Sequence, residues 1–260
     1  MYQFFSRRNF CLIIGAFILV FPPAQAQAPA VAPASTATAA PKRQLAAVRI
    51  AETMKIDGLL DEGAWRDAPI ATDFIQQRPN PGPHEKHATE VRVLYDDAAL
   101  YVGAIMHDIS QDSIPKELTA RDSFGNSDLF SVFIDTYHDQ LNGYNFTVTA
   151  SGVQIDARYS PAGGEDPNWS AVWESRAVQR GTDWVAELRI PYSALRFSGA
   201  PEQLWGLNFA RQRKRENQQF FWNEVKPQVD GFVNQWANSR ACATSSHRCA
   251  SPSRPTSVPT

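Results

Sequence analysis

Apolar and polar residues alternate in short runs along most of this chain, and clusters of Gly, Pro, Asn, Asp and Ser separate the runs. Val91 to Gly103 alternates on both sides of a four-residue turn, as a hairpin does. Ser127 to Thr136 is different: Leu129, Phe130, Val132, Phe133 and Ile134 form a near-continuous apolar run, expected of a strand covered on both faces. After the polar turn Tyr137 to Gly143, Tyr144, Phe146 and Val148 alternate with Asn145, Thr147 and Thr149. Ser151-Gly152 turns into a strand from Val153 to Tyr159, and the Pro- and Gly-rich loop Ser160 to Asn168 precedes Trp169 and a strand from Val172 to Gln179. Arg180 to Asp183 joins this to Trp184–Ile190, where Pro191 ends the ladder because it has no amide proton. A last hairpin runs from Trp205 to Arg213, turns through Lys214 to Asn217 and returns through Phe220, Phe221 and Trp222. Helical periodicity is nearly absent. Lys55 to Trp65 reads as a strand end, a Gly turn and one acidic-capped helical turn with Trp65 facing inward. The pattern predicts an all-β chain, an antiparallel sandwich or jelly roll with one or two short helical turns.

The two ends change this picture. Arg7 and Arg8 precede an apolar run from Cys11 to Phe21, and Ala24-Gln25-Ala26 offers a small-x-small cleavage site, so residues 1–26 read as a signal peptide. Eleven apolar residues at about 1.5 Å each span only about half of a ~30 Å hydrocarbon core, too little for a membrane span. Ser6 to Phe10 also resembles a twin-arginine export signal, and both export routes stay open. Export implies a periplasmic or outer-membrane-associated protein. Residues 27–44 are Ala- and Pro-rich, the composition of a disordered linker, and 45–236 form one domain. Residues 237–260 shift to small, polar and basic residues and read as a disordered tail out of frame with the rest.

Formal net charge is −2 and the pI about 6.2, so no global basic field attracts nucleic acid. Cys11 lies in the signal peptide and Cys242 and Cys249 in the tail, leaving the domain to be held by packing alone. Cys242, His247 and Cys249 have the donor types of a metal site, but their low-complexity setting favours an accidental grouping. His84, His87, His107 and His138 show no paired zinc spacing. Asp57 and Asp61 would suit a structural calcium, with a turn and a helix cap as the competing uses, and no other cofactor is implied. Arg211, Arg213, Lys214 and Arg215 read as a solvated hairpin tip.

Lys55-Ile56-Asp57-Gly58-Leu59-Leu60-Asp61-Glu62-Gly63-Ala64-Trp65, the hairpin around Asp96, Ser127-Asp128 leading into Phe133-Ile134-Asp135, and Trp184-x-x-Glu187-x-x-Ile190-Pro191-Tyr192 together resemble a family 9 carbohydrate-binding module. Trp205 to Arg211 and Gly231 to Trp236 resemble its closing strands. Phe146 to Ala157, with Asp166-x-Asn168-Trp169-x-x-x-Trp173, is similar to a subgroup found upstream of a domain resembling an outer-membrane β-barrel. The resemblance implies a monomeric, non-catalytic saccharide-binding domain of an exported protein, associated with carbohydrate catabolism and with glycoside hydrolases. A structural or sensor domain partnering an outer-membrane β-barrel, and more weakly a cryptic glycosidase, are the alternatives.

In sugar-binding members of this family two Trp rings clamp a terminal sugar while carboxylate, amide and Arg groups bond its hydroxyls. The segment corresponding to one ring reads Ser123-Phe124-Gly125-Asn126, and Ser131 replaces the usual acidic residue of the following strand. Phe124 then stands in for one ring, and Trp169, Trp173, Trp222 or Trp236 for the other. Arg121, Asp122, Asn126 and Asp128 cluster beside them, as a polyol site or as a structural Arg–carboxylate network. Trp65, Trp184 and Trp205 read as core. Asp128, Asp135, Asp156, Asp166 and Glu187 supply acids, yet no Gly-x-Ser-x-Gly, His-Glu-x-x-His or phosphate-loop motif accompanies them, so no catalytic residue is assigned.

Overall fold

A computed structural model describes residues 42–200 and 202–241. The stretch read as a signal peptide, nearly all of that read as linker, and the residues beyond Ala241, including Cys242 and Cys249, lie outside the described residues.

The first sheet has the strand order β1 (Gln44–Ala46), β14 (Ala237–Ala241), β12 (Gln203–Arg213), β6 (Leu129–Asp135), β7 (Gly143–Thr149), β8 (Gln154–Ser160) and β9 (Gly164–Asp166). β13 (Gln218–Phe221) pairs with the second half of β12 and with β3 (Ile75–Arg78). The second sheet runs β10 (Glu174–Arg180), β11 (Asp183–Pro191), β5 (Ala99–Met106), β4 (Thr89–Tyr95) and β2 (Val48–Arg49). Pairing is antiparallel except where β1 meets β14 and β2 meets β4. The one α-helix among the described residues is α1 (Gly63–Asp67).

The period-two pattern explains the core between the sheets. Phe130, Val132 and Ile134 of β6, Phe146 and Val148 of β7, and Trp205, Leu207 and Phe209 of β12 point to one side. They meet Val91 and Val93, Leu100 and Val102, and Trp184, Ala186 and Leu188 from the other sheet. Both outer faces are covered too. Ile50, Met54, Trp65 and Ala68 pack on Leu94, Ala99 and Tyr101 outside the second sheet. Gly103 makes room for this cover, since a Cβ there would lie 2.8 Å from Leu60 and 3.0 Å from Trp65. Outside the first sheet, Val225, Val233 and Trp236 pack on Phe133, Ala210 and Phe221. Every residue from Leu129 to Asp135 is therefore buried, as the unbroken apolar run predicts. Truncating one of the fully buried aromatic rings would cost about 3–5 kcal/mol.

Four expectations are corrected. Ala237–Ala241 forms β14, which pairs with Gln203–Leu207 of β12 and in parallel with β1, so the tail's first five residues are sheet. Backbone ladder bonds make a strand there without an apolar pattern. Strand β1 likewise begins at Gln44, inside the stretch read as linker. Arg211 and Arg213 are buried, because they continue the inward phase of Trp205, Leu207 and Phe209. Finally, the amide of Ala64 in α1 is bonded by the Glu52 carboxylate (3.2 Å), whereas Glu62 at the N-cap makes no side-chain cap.

Candidate functional site

The residues singled out in the sequence separate in space. The loop from Lys116 to Ser127 is closed by pairing between its ends and by the Glu117 carboxylate, which accepts the Asn126 amide at 2.6 Å. Its tip shows Phe124 to solvent at 50 % exposure. Arg121 reaches inward, donating to Asp156, to Gln154 Oε1 and to the Ala171 carbonyl (3.1 Å). Asp156 is fully buried and also accepts the Ala171 amide (3.0 Å) and the Trp173 indole N–H (2.9 Å). Arg121 thus ties the Phe124 loop to the segment that closes the sandwich between β9 and β10. Asp122 takes a left-handed backbone (φ 64°) and donates its amide to the Gln154 carbonyl at 3.0 Å.

Four candidates are withdrawn from solvent. Asp128 is buried under the β12–β13 hairpin and accepts the Lys214 amide at 2.7 Å. Burial pushes its pKa up to about 6 against the pull of that amide and of Arg211. Trp173 is held by Asp156 within the inter-sheet core, and Trp222 packs there against Phe209 with ring centroids 5.6 Å apart. Trp236 is buried in the outer cover. Their apolar area is already engaged, so none presents a face to a ligand. At Ser131, where the resemblance leads one to look for an acid, the hydroxyl meets Thr147 Oγ1 at 2.6 Å, and Thr147 donates to Asn145 Oδ1 at 3.0 Å. That part of the sheet is neutral and satisfied internally.

Trp169 leads to a different place. Its ring is half-buried, 5.1 Å from Tyr144 and 5.9 Å from Phe146, and it lines a groove on the edge of the sandwich. One half, about 590 Å³, lies between Trp169–Val172 and Ser193–Arg196. The other, about 510 Å³, extends to Tyr137, Asn142 and Ser160. Tyr144, Arg158 and Arg196 line both halves.

Local chemistry fixes its walls. The Arg196 amide donates to the Tyr144 hydroxyl at 3.3 Å, and Thr136 Oγ1 donates to the Arg196 carbonyl. In the turn after β6, Asp139 accepts the Leu141 and Asn142 amides, each at 2.8 Å, and the Asn142 side chain at 2.7 Å. Burial would raise the Asp139 pKa, but these bonds to its charged form lower it on balance. The same turn presents Tyr137 at 53 % exposure. Tyr137, Asn142, Tyr144, Arg158 and Arg196 are not among the residues the sequence picks out. The available signal is Tyr137, an aromatic set in an otherwise polar turn.

Aromatic faces with Arg, amide and hydroxyl groups thus line two adjoining pockets on a two-sheet β-sandwich. More specifically, the chain belongs to the carbohydrate family 9 binding domain-like family, whose profile matches residues 56–240. Its fold is shared by a family 9 carbohydrate-binding module from Caldicellulosiruptor kristjanssonii solved with cellotriose (TM-score 0.56, 14 % identity, covering 82 % of this chain and 100 % of that one). A module from the same organism solved with glucose aligns at TM-score 0.52 and 13 % identity over 80 % and 100 %. A candidate carbohydrate-binding protein from Bacteroides uniformis aligns at TM-score 0.59 and 10 % identity over 76 % and 99 %. Among curated proteins, none matches the sequence.

Proposed function

We propose that this chain is a non-catalytic carbohydrate-binding domain of an exported protein, and that it holds a saccharide along the Tyr137–Trp169 groove. The observation supporting this reading is that two adjoining pockets, sharing Tyr144, Arg158 and Arg196, bring Tyr137 and Trp169 together with Asn142. Aromatic rings supply flat apolar faces for the C–H surface of a sugar, and the polar groups bond its hydroxyls. Membership of a carbohydrate-binding family and the saccharide complexes of structural neighbours support the ligand class. Arg7, Arg8 and the following apolar run support export.

A second reading, a structural domain serving an outer-membrane β-barrel, is favoured by the closed Ser131–Thr147–Asn145 network, which offers a sugar no charged group. Calorimetry of the full chain against a glycan panel separates the two. Binding is expected, weakened by roughly 1–3 kcal/mol in Tyr137→Ala with an unchanged melting temperature. Loss of binding in Phe124→Ala with Tyr137→Ala unaffected would move the site to the Lys116–Ser127 loop. No binding to any glycan would favour the structural reading.

A further inference from the structure

Resting on the groove reading, we propose further that the saccharide it selects is anionic, a sugar carrying a carboxylate or sulfate group held between Arg158 and Arg196. Both arginines line the stretch common to the two halves of the groove, with Tyr144 beside them. Among the described residues, no carboxylate lies within ion-pair distance of the Arg196 guanidinium, and only its backbone is hydrogen-bonded. Arg158 has one acidic neighbour, Asp166 at 3.8 Å, with both side chains well exposed (51 % and 40 %). An ion pair of that kind is screened by water and contributes little. Arg211 and Arg121 differ, for their guanidiniums are spent on Glu85 and Asp156 within the protein.

The groove's charge points the same way. Asp139 is the one carboxylate in its lining and is occupied by Leu141 and Asn142, while Asp166 stands outside the lining against Arg158. With Asp139 committed to its own turn and Asp166 set only loosely against Arg158, Arg196 is the cation left without an anion in a chain whose formal net charge is −2. A guanidinium binds a carboxylate or sulfate through paired N–H bonds to an opposing charge, whereas a sugar hydroxyl offers it a single acceptor and no opposing charge. The aromatic walls serve either kind of sugar. Discrimination therefore falls to the two arginines.

The test is calorimetry of the full chain against oligogalacturonate, its methyl ester, alginate oligosaccharides and their carboxyl-reduced forms, and a sulfated galactan oligosaccharide. The acidic members should bind about tenfold or more tightly than their neutral counterparts, as expected for a paired ionic hydrogen bond against a single bond to an uncharged acceptor. This preference should weaken with added salt. Arg196→Gln and Arg158→Gln, both exposed positions, should each remove most of it while leaving the melting temperature unchanged. Tighter binding of the sulfated member than of the uronates supports the same proposal and identifies the anion. Equal binding of acids and esters, or a preference untouched by either Arg variant, overturns the proposal. In that event weakening by Tyr137→Ala would leave the carbohydrate reading standing. No binding by any member overturns both.

Discussion

Glu187 shows how one residue can belong to a recognisable motif and yet act at a distance. It lies in β11, fully buried, and one carboxylate oxygen accepts the amides of Asp57 (3.0 Å) and Gly58 (2.8 Å) while the other has no partner. Gly58 has φ 82°, and a Cβ there would come within 2.6 Å of Val178, so the turn that Glu187 holds requires glycine. Burial pushes the Glu187 pKa from 4.5 up to about 7, with Glu62 and Asp57 adding repulsion and the two amides opposing. The folded protein therefore binds this proton more tightly than the unfolded chain. Its contribution to stability is fully present below about pH 4.5 and is lost as pH rises through about 7. Urea unfolding of the full chain should show stability falling between these limits, by at most about 3 kcal/mol from this group. Glu187→Gln should flatten that part of the profile and leave the smaller fall from Asp128, whose pKa is about 6. An unchanged profile in Glu187→Gln would assign the titration elsewhere. The Trp-x-x-Glu spacing marks Glu187 as a strand residue, but its partner turn lies 129 residues away and no local pattern announces the contact.

At the scale of elements, strands with a strong period were legible and those made by pairing alone were not. The hairpin of β4 and β5, the doubly covered β6 and the β10–β11 turn at Gly181 all follow from alternation and turn chemistry. β14 carries no such pattern, and its place depends on the edges offered by β12 and β1. Val172, read as strand, instead stands 88 % exposed in the groove wall before β10 begins at Glu174. The candidate site suffered similarly. Trp169 was visible because it follows a loop, whereas Arg158 and Arg196 join it only after β8 and the segment following β11 meet across the edge of the sandwich. These pairings predict that a chain ending at Trp236 loses both ladders of β14, exposing the amides of β1 to hydrogen exchange and costing several kcal/mol, roughly the stake of a handful of backbone bonds. A chain ending at Ala241 should keep both. Equal stability and equal exchange in the two truncations would mean that β14 contributes nothing.

For the molecule as a whole, the two sheets are joined by apolar contacts through the middle and by a charged network at one end. Arg211 of β12 donates to Glu85 (2.9 Å), to the carbonyls of His87 (2.9 Å) and His107 (2.8 Å), and approaches Asp108 at 3.4 Å just beyond β5. Arg213 and Arg215 also reach Asp108, at 3.3 and 3.4 Å. Burial lowers the Arg211 pKa and raises that of Glu85, so each charge is costly alone and is sustained by the other. This network was readable in part, because the phase set by Trp205, Leu207 and Phe209 carries on to residues 211 and 213. Three consecutive basic positions near a turn suggested solvent more strongly than phase suggested burial. The energetic consequence is asymmetric. Arg211→Met removes the cation and leaves Glu85 and Asp108 buried without it, which should cost about 3–5 kcal/mol in urea unfolding. Adding Glu85→Leu removes one of the stranded anions, so the double variant should be more stable than Arg211→Met alone even though it has lost a second native side chain. Additive losses in this cycle would show that Arg211 and Glu85 act independently and that packing alone joins the sheets at this end.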